Sequence, residues 1–247
     1  MKRTTAAILI VLPLCLIAAV LLLYETGWMS VVEAKIVGAR TVADRLAQFG
    51  PGVRNRLLPD FQRAQVSYPP ARVVLLGLKQ EKRLEVYASS ENGALTLIRE
   101  YPVLAASGGA GPKQREGDRQ VPEGVYSIES LNPNSRFHLA LRLNYPNQFD
   151  RQRAAEDGLS NLGSDIMIHG KDRSIGCLAM GDDAAEDLFV LAAEAGIENV
   201  RVVLAPCDLR IAPAPRSSSP AWVGKLYAQL ADEMRELATT SRKQPAS

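Results

Sequence analysis

The sequence predicts a mainly β fold with some α structure. We expect one β-rich domain with a single core helix, preceded by an N-terminal membrane anchor and followed by a C-terminal helix. Three observations support this fold class: an uncharged apolar run opens the chain, alternating strand patterns fill its middle, and helical spacing returns near its end. The predicted segments are an anchor or signal at 1–24, a helical spacer at 25–67, the main domain at 68–210, and a linker with a C-terminal helix at 211–247.

Composition fits a folded protein with no bias toward nucleic acid. Of 247 residues, 47% are hydrophobic and 23% are charged, which is typical of globular chains. The formal net charge of +2 gives no reason to expect a nucleic-acid partner. The three cysteines, Cys15, Cys177 and Cys207, do not form a disulfide framework.

The N-terminal run decides the expected compartment. Lys2 and Arg3 precede an uncharged stretch from Ala6 to Leu23. As a helix this stretch would be about 27 Å long, enough to cross the core of a bilayer. No small-residue cleavage site follows it directly, so we expect an uncleaved inner-membrane anchor. The basic flank favours the remainder of the chain on the periplasmic side, within the cell envelope. Cleavage and secretion is the alternative.

The next segment, 25–67, has helical spacing. Its apolar residues recur on one face, at Val32, Ile36, Ala39, Ala43 and Leu46. The triplet at 50–52, Gly-Pro-Gly, is expected to break the helix. The pattern therefore predicts a helical spacer close to the membrane, interrupted at 50–52.

From Arg72 onward the period shortens to that of strands. Val73 to Leu76 form an apolar run, and apolar residues then alternate around Leu84 and Leu97, with turn residues between. A long loop follows, from Gly108 to Gly124. Further strand patterns lie at 125–128, 137–143, 165–168 and 200–204.

Two helices are expected after these strands. Asp183 and Glu186 have the spacing of a capping box, and Gly196 ends the core helix that follows. In the C-terminal helix the apolar residues are spaced to pack on the domain: Trp222, Leu226, Leu230 and Met234.

One short segment carries the parts of a nucleophilic site. His169 ends a predicted strand, and Cys177 follows eight positions later across a loop with glycine and serine. A thiol with a pKa of about 8.5 is mostly protonated at neutral pH, so a neighbouring imidazole is needed to make it a thiolate. The N–H groups of Gly176 and Cys177 are candidate oxyanion donors, and the Ser174 hydroxyl is a candidate support.

Simpler interpretations of the same residues remain open at this point. A single cysteine can be a small buried hydrophobe, and a single histidine can be structural. A metal site lacks ligands, since one His, one Cys and scattered Asp do not make a tetrahedral set. No metal and no cofactor are therefore expected.

The residues around Cys177 resemble the catalytic signature of YkuD-type L,D-transpeptidases. The resemblance rests first on His169-Gly170 and on Ser174-Ile-Gly-Cys177. The compact spacing, with Leu-Ala-Met after the cysteine, is similar to the YafK-like murein branch. Upstream motifs agree in order: Gly111-Pro-Lys, Glu116-Gly-Asp, Pro122-Glu-Gly-Val-Tyr126, Leu131-Asn-Pro-Asn134, Phe137-His-Leu139 and Asn144-Tyr-Pro-Asn147.

This resemblance implies a β-rich fold that acts on peptidoglycan stem peptides. Cys177 would be the nucleophile that forms a thioester acyl-enzyme at a meso-diaminopimelate residue, with His169 as general base. Gly170, Ser174 and Gly176 would position the substrate or its oxyanion. An amine then accepts the acyl group, or water hydrolyses it.

Two departures from the commoner pattern keep alternatives open. Ile175 stands where many members have histidine, and Ala179 stands where many have arginine. The YafK-like branch shares the departure and is associated with cleavage of bonds between envelope protein and peptidoglycan. An amidase that acts on murein-linked protein is therefore a second hypothesis. A catalytically silent peptidoglycan-binding protein is a third, disfavoured by the presence of both His169 and Cys177.

Four residues outside the core motif have weaker predicted roles. Lys113 and Arg173 lie in charged loops and could bind stem-peptide carboxylates. His138 alternates with apolar neighbours, which favours a structural or substrate-lining role. Cys207 follows a predicted strand and is expected to be a buried, inert thiol.

Overall fold

The computed structural model describes residues 38–214 and 220–241. The predicted anchor, at 1–24, lies outside these residues, as do the first positions of the predicted spacer. Within the described ranges, no helix combines the length and the apolar character that crossing a bilayer requires.

The described residues form a single nine-stranded sheet with helices on both faces. The strand order is β3-β2-β1-β9-β5-β6-β7-β8-β4. In chain order the strands are β1 Arg72–Leu78, β2 Arg83–Ser89, β3 Thr96–Pro102, β4 Ala105–Ala106, β5 Gly124–Ser135, β6 His138–Leu143, β7 Met167–His169, β8 Leu178–Ala179 and β9 Val200–Ala205. The strands predicted from the alternating patterns are thereby confirmed.

Strand β1 is buried on both faces, which explains its continuous apolar run. Val73 and Leu75 face one core cluster, while Val74 and Leu76 face another on the opposite side of the sheet. This alternation follows from the two-residue period of a strand. β1 pairs antiparallel with β2 and parallel with β9, and β9 pairs antiparallel with β5.

Helix α1, Val42–Arg63, begins at a capping box between Thr41 and Asp44. It continues without interruption through residues 50–52, so the predicted break there is wrong. The physical reason is tertiary packing, which outweighs local propensity. Val53, Leu57 and Phe61 are buried in the main core cluster. The helix in the predicted spacer therefore packs on the same core as the strands.

Two helices share that face of the sheet, which corrects the prediction of one core helix. Helix α3, Asp182–Ala195, packs beside α1 and ends at Gly196 as expected. It starts after Gly181 without a side-chain cap, so the capping box predicted at Asp183 is wrong. The helix begins at Asp182, so Asp183 lies inside its first turn and is not in the N-cap position. The short helix α2, Gln148–Glu156, was not predicted.

Helix α4, Trp222–Ser241, covers the opposite face of the sheet. Leu226, Leu230 and Met234 are buried against β1 and β9, as their spacing predicts. Trp222 is partly buried and donates from Nε1 to Asp157 Oδ2 at 2.8 Å. Cys207 is buried and carries a free thiol, in keeping with the predicted inert role.

A buried ion pair fastens the long 107–123 loop to the sheet and to α4. Lys79 Nζ contacts Glu123 Oε1 at 2.9 Å and donates to the Gly111 and Val121 carbonyls. The Tyr227 hydroxyl donates to Glu123 Oε2 at 2.8 Å. Burial lowers the pKa of Lys79, but these acceptors satisfy its ammonium group. The loop is therefore held at fixed points.

We expect Leu57→Ala to lower the free energy of unfolding by about 2–5 kcal/mol, because it opens a cavity between α1 and the core. Asn55→Ala, at an exposed position of the same helix, is the matched control and should change it by less than about 0.5 kcal/mol. Urea denaturation measures both. A cost below about 1 kcal/mol for Leu57→Ala would show that α1 is not part of the cooperative unit.

Candidate active site

Three neighbouring strands bring the predicted nucleophile and base together. β7 pairs parallel with β8, with His169 level with Ala179, and β4 pairs antiparallel with β8 on its other side. Cys177 immediately precedes β8 and is two residues from Ala179. The two predicted functional residues therefore come from neighbouring strand ends, His169 as the last residue of β7 and Cys177 just before β8.

The turn that ends at Cys177 is fixed by two serine hydroxyls. Ser174 Oγ accepts from the Cys177 N–H at 2.9 Å and donates to the Cys177 carbonyl at 2.5 Å. The Gly176 N–H donates to Ser107 Oγ at 2.6 Å. Gly176 has a φ of +93°, a conformation that other residues adopt only with strain. A glycine before the cysteine is thus required by the backbone.

These hydrogen bonds bear on the predicted oxyanion donors. The N–H groups of Gly176 and Cys177 both have acceptors inside the protein, namely Ser107 and Ser174. An oxyanion can reach either N–H only if the corresponding hydroxyl moves away. Their role as oxyanion donors therefore stays a prediction, and one that requires the turn to open.

The His169 ring is held as a neutral imidazole with a defined tautomer. His169 is 2% exposed, and its Nδ1 lies 2.6 Å from the Gly170 carbonyl oxygen. Since a carbonyl can only accept, Nδ1 carries the proton and Nε2 holds the lone pair. Burial lowers the pKa of His169 below its ordinary value, an effect that the Gly170 carbonyl partly offsets. The ring is therefore ready to accept a proton at Nε2.

The close packing around the His169 imidazole explains why a glycine follows the histidine. A Cβ on Gly170 would lie 2.6 Å from Asp182 Oδ1 and 2.8 Å from the Phe137 carbonyl oxygen, so no other residue fits. The Phe137 ring stacks on the imidazole, with centroids 4.7 Å apart and planes tilted by 31°. Gly170 thus allows close packing around the base.

The Cys177 thiol rests against the backbone before β7. Its Sγ lies 3.5 Å from the Asp165 carbonyl oxygen, and within the described structure it has no hydrogen bond to His169. Burial raises the pKa of Cys177; hydrogen bonding from Met167 and the charge of Lys113 oppose the rise. The thiol at rest is therefore neutral, and it must turn toward Nε2 before its proton can be transferred.

Three of the six non-glycine residues with a left-handed backbone in the described ranges lie around these groups. Asp165, Lys171 and His138 have φ values of 59°, 60° and 73°, in the left-handed region that non-glycine residues seldom adopt. Asp165 accepts from the thiol, and Lys171 binds Asp182 through its N–H and its ammonium group. Such conformations persist only where the surrounding contacts hold them, as commonly occurs at functional sites.

The predicted substrate-binding residues have different surroundings. Lys113 is buried, pairs with Asp118 at 2.6 Å and donates to the Arg115 carbonyl, so it stabilises its own loop. His138 Nε2 lies 2.9 Å from Glu186 Oε1, and its ring packs on Phe49, which favours the structural role. Arg173 is exposed on the loop between β7 and β8.

Arg173 borders a cleft of about 710 Å³ beside the imidazole. Its walls combine apolar side chains such as Leu104 and Phe137 with equal numbers of basic and acidic ones, namely Arg56, Arg99, Lys171, Arg173, Asp172, Asp182, Asp183 and Asp187. Phe137 connects the cleft to the base, since the same residue lines the cleft and stacks on His169. Neither His169 nor Cys177 lines the cleft, which therefore neighbours the predicted site without containing it.

Sequence reasoning missed Ser107, Phe137 and Asp165. Ser107, which directly follows β4, lies 69 positions before Gly176 in the chain, and the β4–β8 pairing brings the two together. Phe137 and Asp165 lie within quoted motifs, but their contacts depend on the fold. No group of three His, Cys, Asp or Glu side chains suited to a metal occurs in the part of the chain that the structure describes.

We expect alkylation of Cys177 by iodoacetamide to accelerate continuously with pH and to keep rising above pH 9. Burial raises the pKa of the Cys177 thiol above its ordinary value of 9.0. The reactive thiolate is therefore scarce at neutral pH. A Cys15→Ala/Cys207→Ala background restricts labelling to Cys177. A rate that levels off below pH 8 would instead show a resting thiolate–imidazolium pair.

Solved structures give distant likenesses. The helical cell shape determining protein Pgp2 from Campylobacter jejuni is 19% identical, with a TM-score of 0.45 over 71% of each chain. L,D-transpeptidase 1 from Mycobacterium tuberculosis is 16% identical, with a TM-score of 0.32 over 54% of this chain and 62% of that chain.

Two proteins found by sequence comparison have a higher sequence identity to this chain than the solved structures have. The chain is 38% identical over 113 residues to the Escherichia coli protein YafK, whose name assigns it provisionally to the L,D-transpeptidases, and YafK from a second strain gives the same figures. The aligned part is 45% of this chain and 43% of YafK, so the chain spans less than half the length of these relatives.

Residues 72–203 match the YkuD family, the L,D-transpeptidase catalytic domain. This match covers more than half of the chain and includes both His169 and Cys177. The chain therefore belongs to the YkuD family of L,D-transpeptidase catalytic domains.

Proposed function

We propose that the protein is a cysteine acyltransferase that carries out L,D-transpeptidation on peptidoglycan stem peptides. One observation carries the proposal: β7 ends in a neutral imidazole, and the residue just before the adjacent strand β8 carries a thiol, within a YkuD-family domain. Nucleophilic acyl transfer needs a nucleophile and a base within reach of one carbonyl.

The first half of the reaction forms the acyl-enzyme. Cys177 Sγ turns from the Asp165 carbonyl toward His169 Nε2, which takes the thiol proton. The thiolate attacks the stem-peptide carbonyl, and the resulting tetrahedral oxyanion accepts hydrogen bonds. As the amide C–N bond breaks, the imidazolium returns its proton to the leaving amine. A thioester on Cys177 remains.

The second half releases the product. His169 removes a proton from an incoming amine, and that amine attacks the thioester carbonyl. The C–S bond breaks, the proton returns to sulfur, and a new amide bond leaves the site. In the transpeptidation that the family name describes, the acceptor amine comes from a second stem peptide.

Hydrolysis is the second candidate, and two positions favour it. Ala179 is fully buried beside His169, so an arginine would not fit there without rearrangement. Ile175 is 77% exposed next to the nucleophile, where it offers no polar group. Without such groups to hold an acceptor amine, water could attack the thioester instead of the amine. The protein would then be an amidase that acts on murein-linked protein. A silent binding protein is the third candidate.

The substrate and the compartment follow from the same proposal. Stem peptides carry carboxylates, which the exposed guanidinium of Arg173, four residues before Cys177, would attract. Peptidoglycan lies in the cell envelope, which agrees with an anchor at 1–24 and a periplasmic domain. Envelope protein linked to murein is the proposed partner of the hydrolytic alternative.

We expect the full-length chain to gain one covalent adduct when it is incubated with a carbapenem, because this class of drug acylates an activated nucleophile. Intact mass spectrometry should show the adduct on wild type and on Cys207→Ala, and none on Cys177→Ala. His169→Gln should slow its formation by about 10²–10⁴-fold, the usual contribution of a general base. An adduct that persists in Cys177→Ala would disprove the assignment of the nucleophile.

Product analysis separates the two enzymatic candidates. With crosslinked murein and an added amine, a transferase should produce new amide-linked products, whereas a hydrolase should release free carboxylates from murein–protein substrate. Cys177→Ala should abolish either product. A folded wild type that is neither acylated nor productive on either substrate would favour the silent binding protein.

A further inference from the structure

Two serine hydroxyls contact the turn before Cys177. They differ in whether they donate a hydrogen bond. Ser174 donates its proton to the Cys177 carbonyl, 2.5 Å away, while it accepts from the Cys177 N–H. Ser107 accepts from the Gly176 N–H at 2.6 Å, but among the described residues nothing accepts its proton. A hydroxyl can donate and accept at once, so the Ser107 O–H can still donate a hydrogen bond to a bound substrate.

Strand pairing places Ser107 beside the nucleophile. In the antiparallel β4–β8 pair, Ala105 is level with Ala179 and Ala106 with Leu178. Ser107 directly follows Ala106, and Cys177 directly precedes Leu178, so the two residues flank the same end of this strand pair. The hydrogen bond from Gly176 to Ser107 Oγ agrees with this position. Ser107 is half-buried, so its hydroxyl is partly screened from bulk water.

The backbone around Ser107 is held in place by Gln120. The Gly109 N–H donates to Gln120 Oε1 at 3.0 Å. Gly108 has a φ of +86°, and a Cβ there would lie 2.0 Å from the same Gln120 oxygen. The hydroxyl therefore starts from a fixed position, as an oxyanion donor must if it is to act without reorganisation.

We propose that Ser107 is a catalytic residue whose hydroxyl donates a hydrogen bond to the oxyanion of the tetrahedral intermediate. This inference rests on the proposed acyl transfer to Cys177. The Gly176 N–H does not contact the substrate directly; it donates to Ser107 Oγ and thereby polarises the O–H bond that faces the oxyanion. No bond to Ser107 forms or breaks, because its proton is shared with the oxyanion and kept.

The test compares two reactions of Cys177 in the full-length chain. Acylation by a carbapenem passes through a tetrahedral oxyanion, whereas alkylation by iodoacetamide displaces iodide at carbon and forms none. Ser107→Ala should slow acylation by about 10²-fold, the typical effect of losing one oxyanion donor. Alkylation should keep its rate and its pH profile within about threefold. Ser107→Thr, which retains the hydroxyl, should recover most of the acylation rate.

Ser130→Ala is the matched control, since Ser130 is an exposed serine on β5. It should leave both reactions unchanged. Equal acylation rates in wild type and Ser107→Ala would overturn the inference, as would a parallel fall of alkylation and acylation, which indicates a structural role. Failure of folded wild type to be acylated at all would instead count against the proposed function itself.

Discussion

The site depends on the hydrogen-bond register among β7, β8 and β4. Pairing β7 with β8 sets His169 level with Ala179, two residues from Cys177, and pairing β8 with β4 brings Ser107 to the same turn. Shifting a strand by one residue sends every side chain to the opposite face. The predicted base, the predicted nucleophile and Ser107 therefore come near one another only in this register, although β7 and β8 are very short.

Such short strands cannot hold their register alone, and buried contacts on the flanking loops support them. The ion pair between Lys79 and Glu123 anchors the end of the 107–123 loop, and Tyr227 ties that pair to α4. Gln120, on the same loop, fixes the Ser107 turn. Removing one partner of a buried pair leaves an uncompensated charge, which is strongly destabilising. Helix α4 thus contributes to the site through the loop.

Much of the sheet and the centre of the site could be predicted because their signals are local. Alternating apolar residues identify strands, and His169 and Cys177 lie within one short segment of the chain. Ser107 could not be found, since its contact with Gly176 spans 69 positions and has no motif. The helix through residues 50–52 was missed for a related reason: packing of Leu57 and its neighbours on the core overrides the local Gly-Pro-Gly signal.

The central claim is that Cys177, His169 and Ser107 converge on one carbonyl, and a crystal structure of the carbapenem-acylated protein tests it most directly. The account predicts an acyl carbon bonded to Cys177 Sγ, with its carbonyl oxygen within about 3.2 Å of Ser107 Oγ. His169 should lie on the same side, with Nε2 facing the thioester and Nδ1 still bound to the Gly170 carbonyl. An acyl group on Cys207, or a carbonyl oxygen that points away from Ser107, would contradict it.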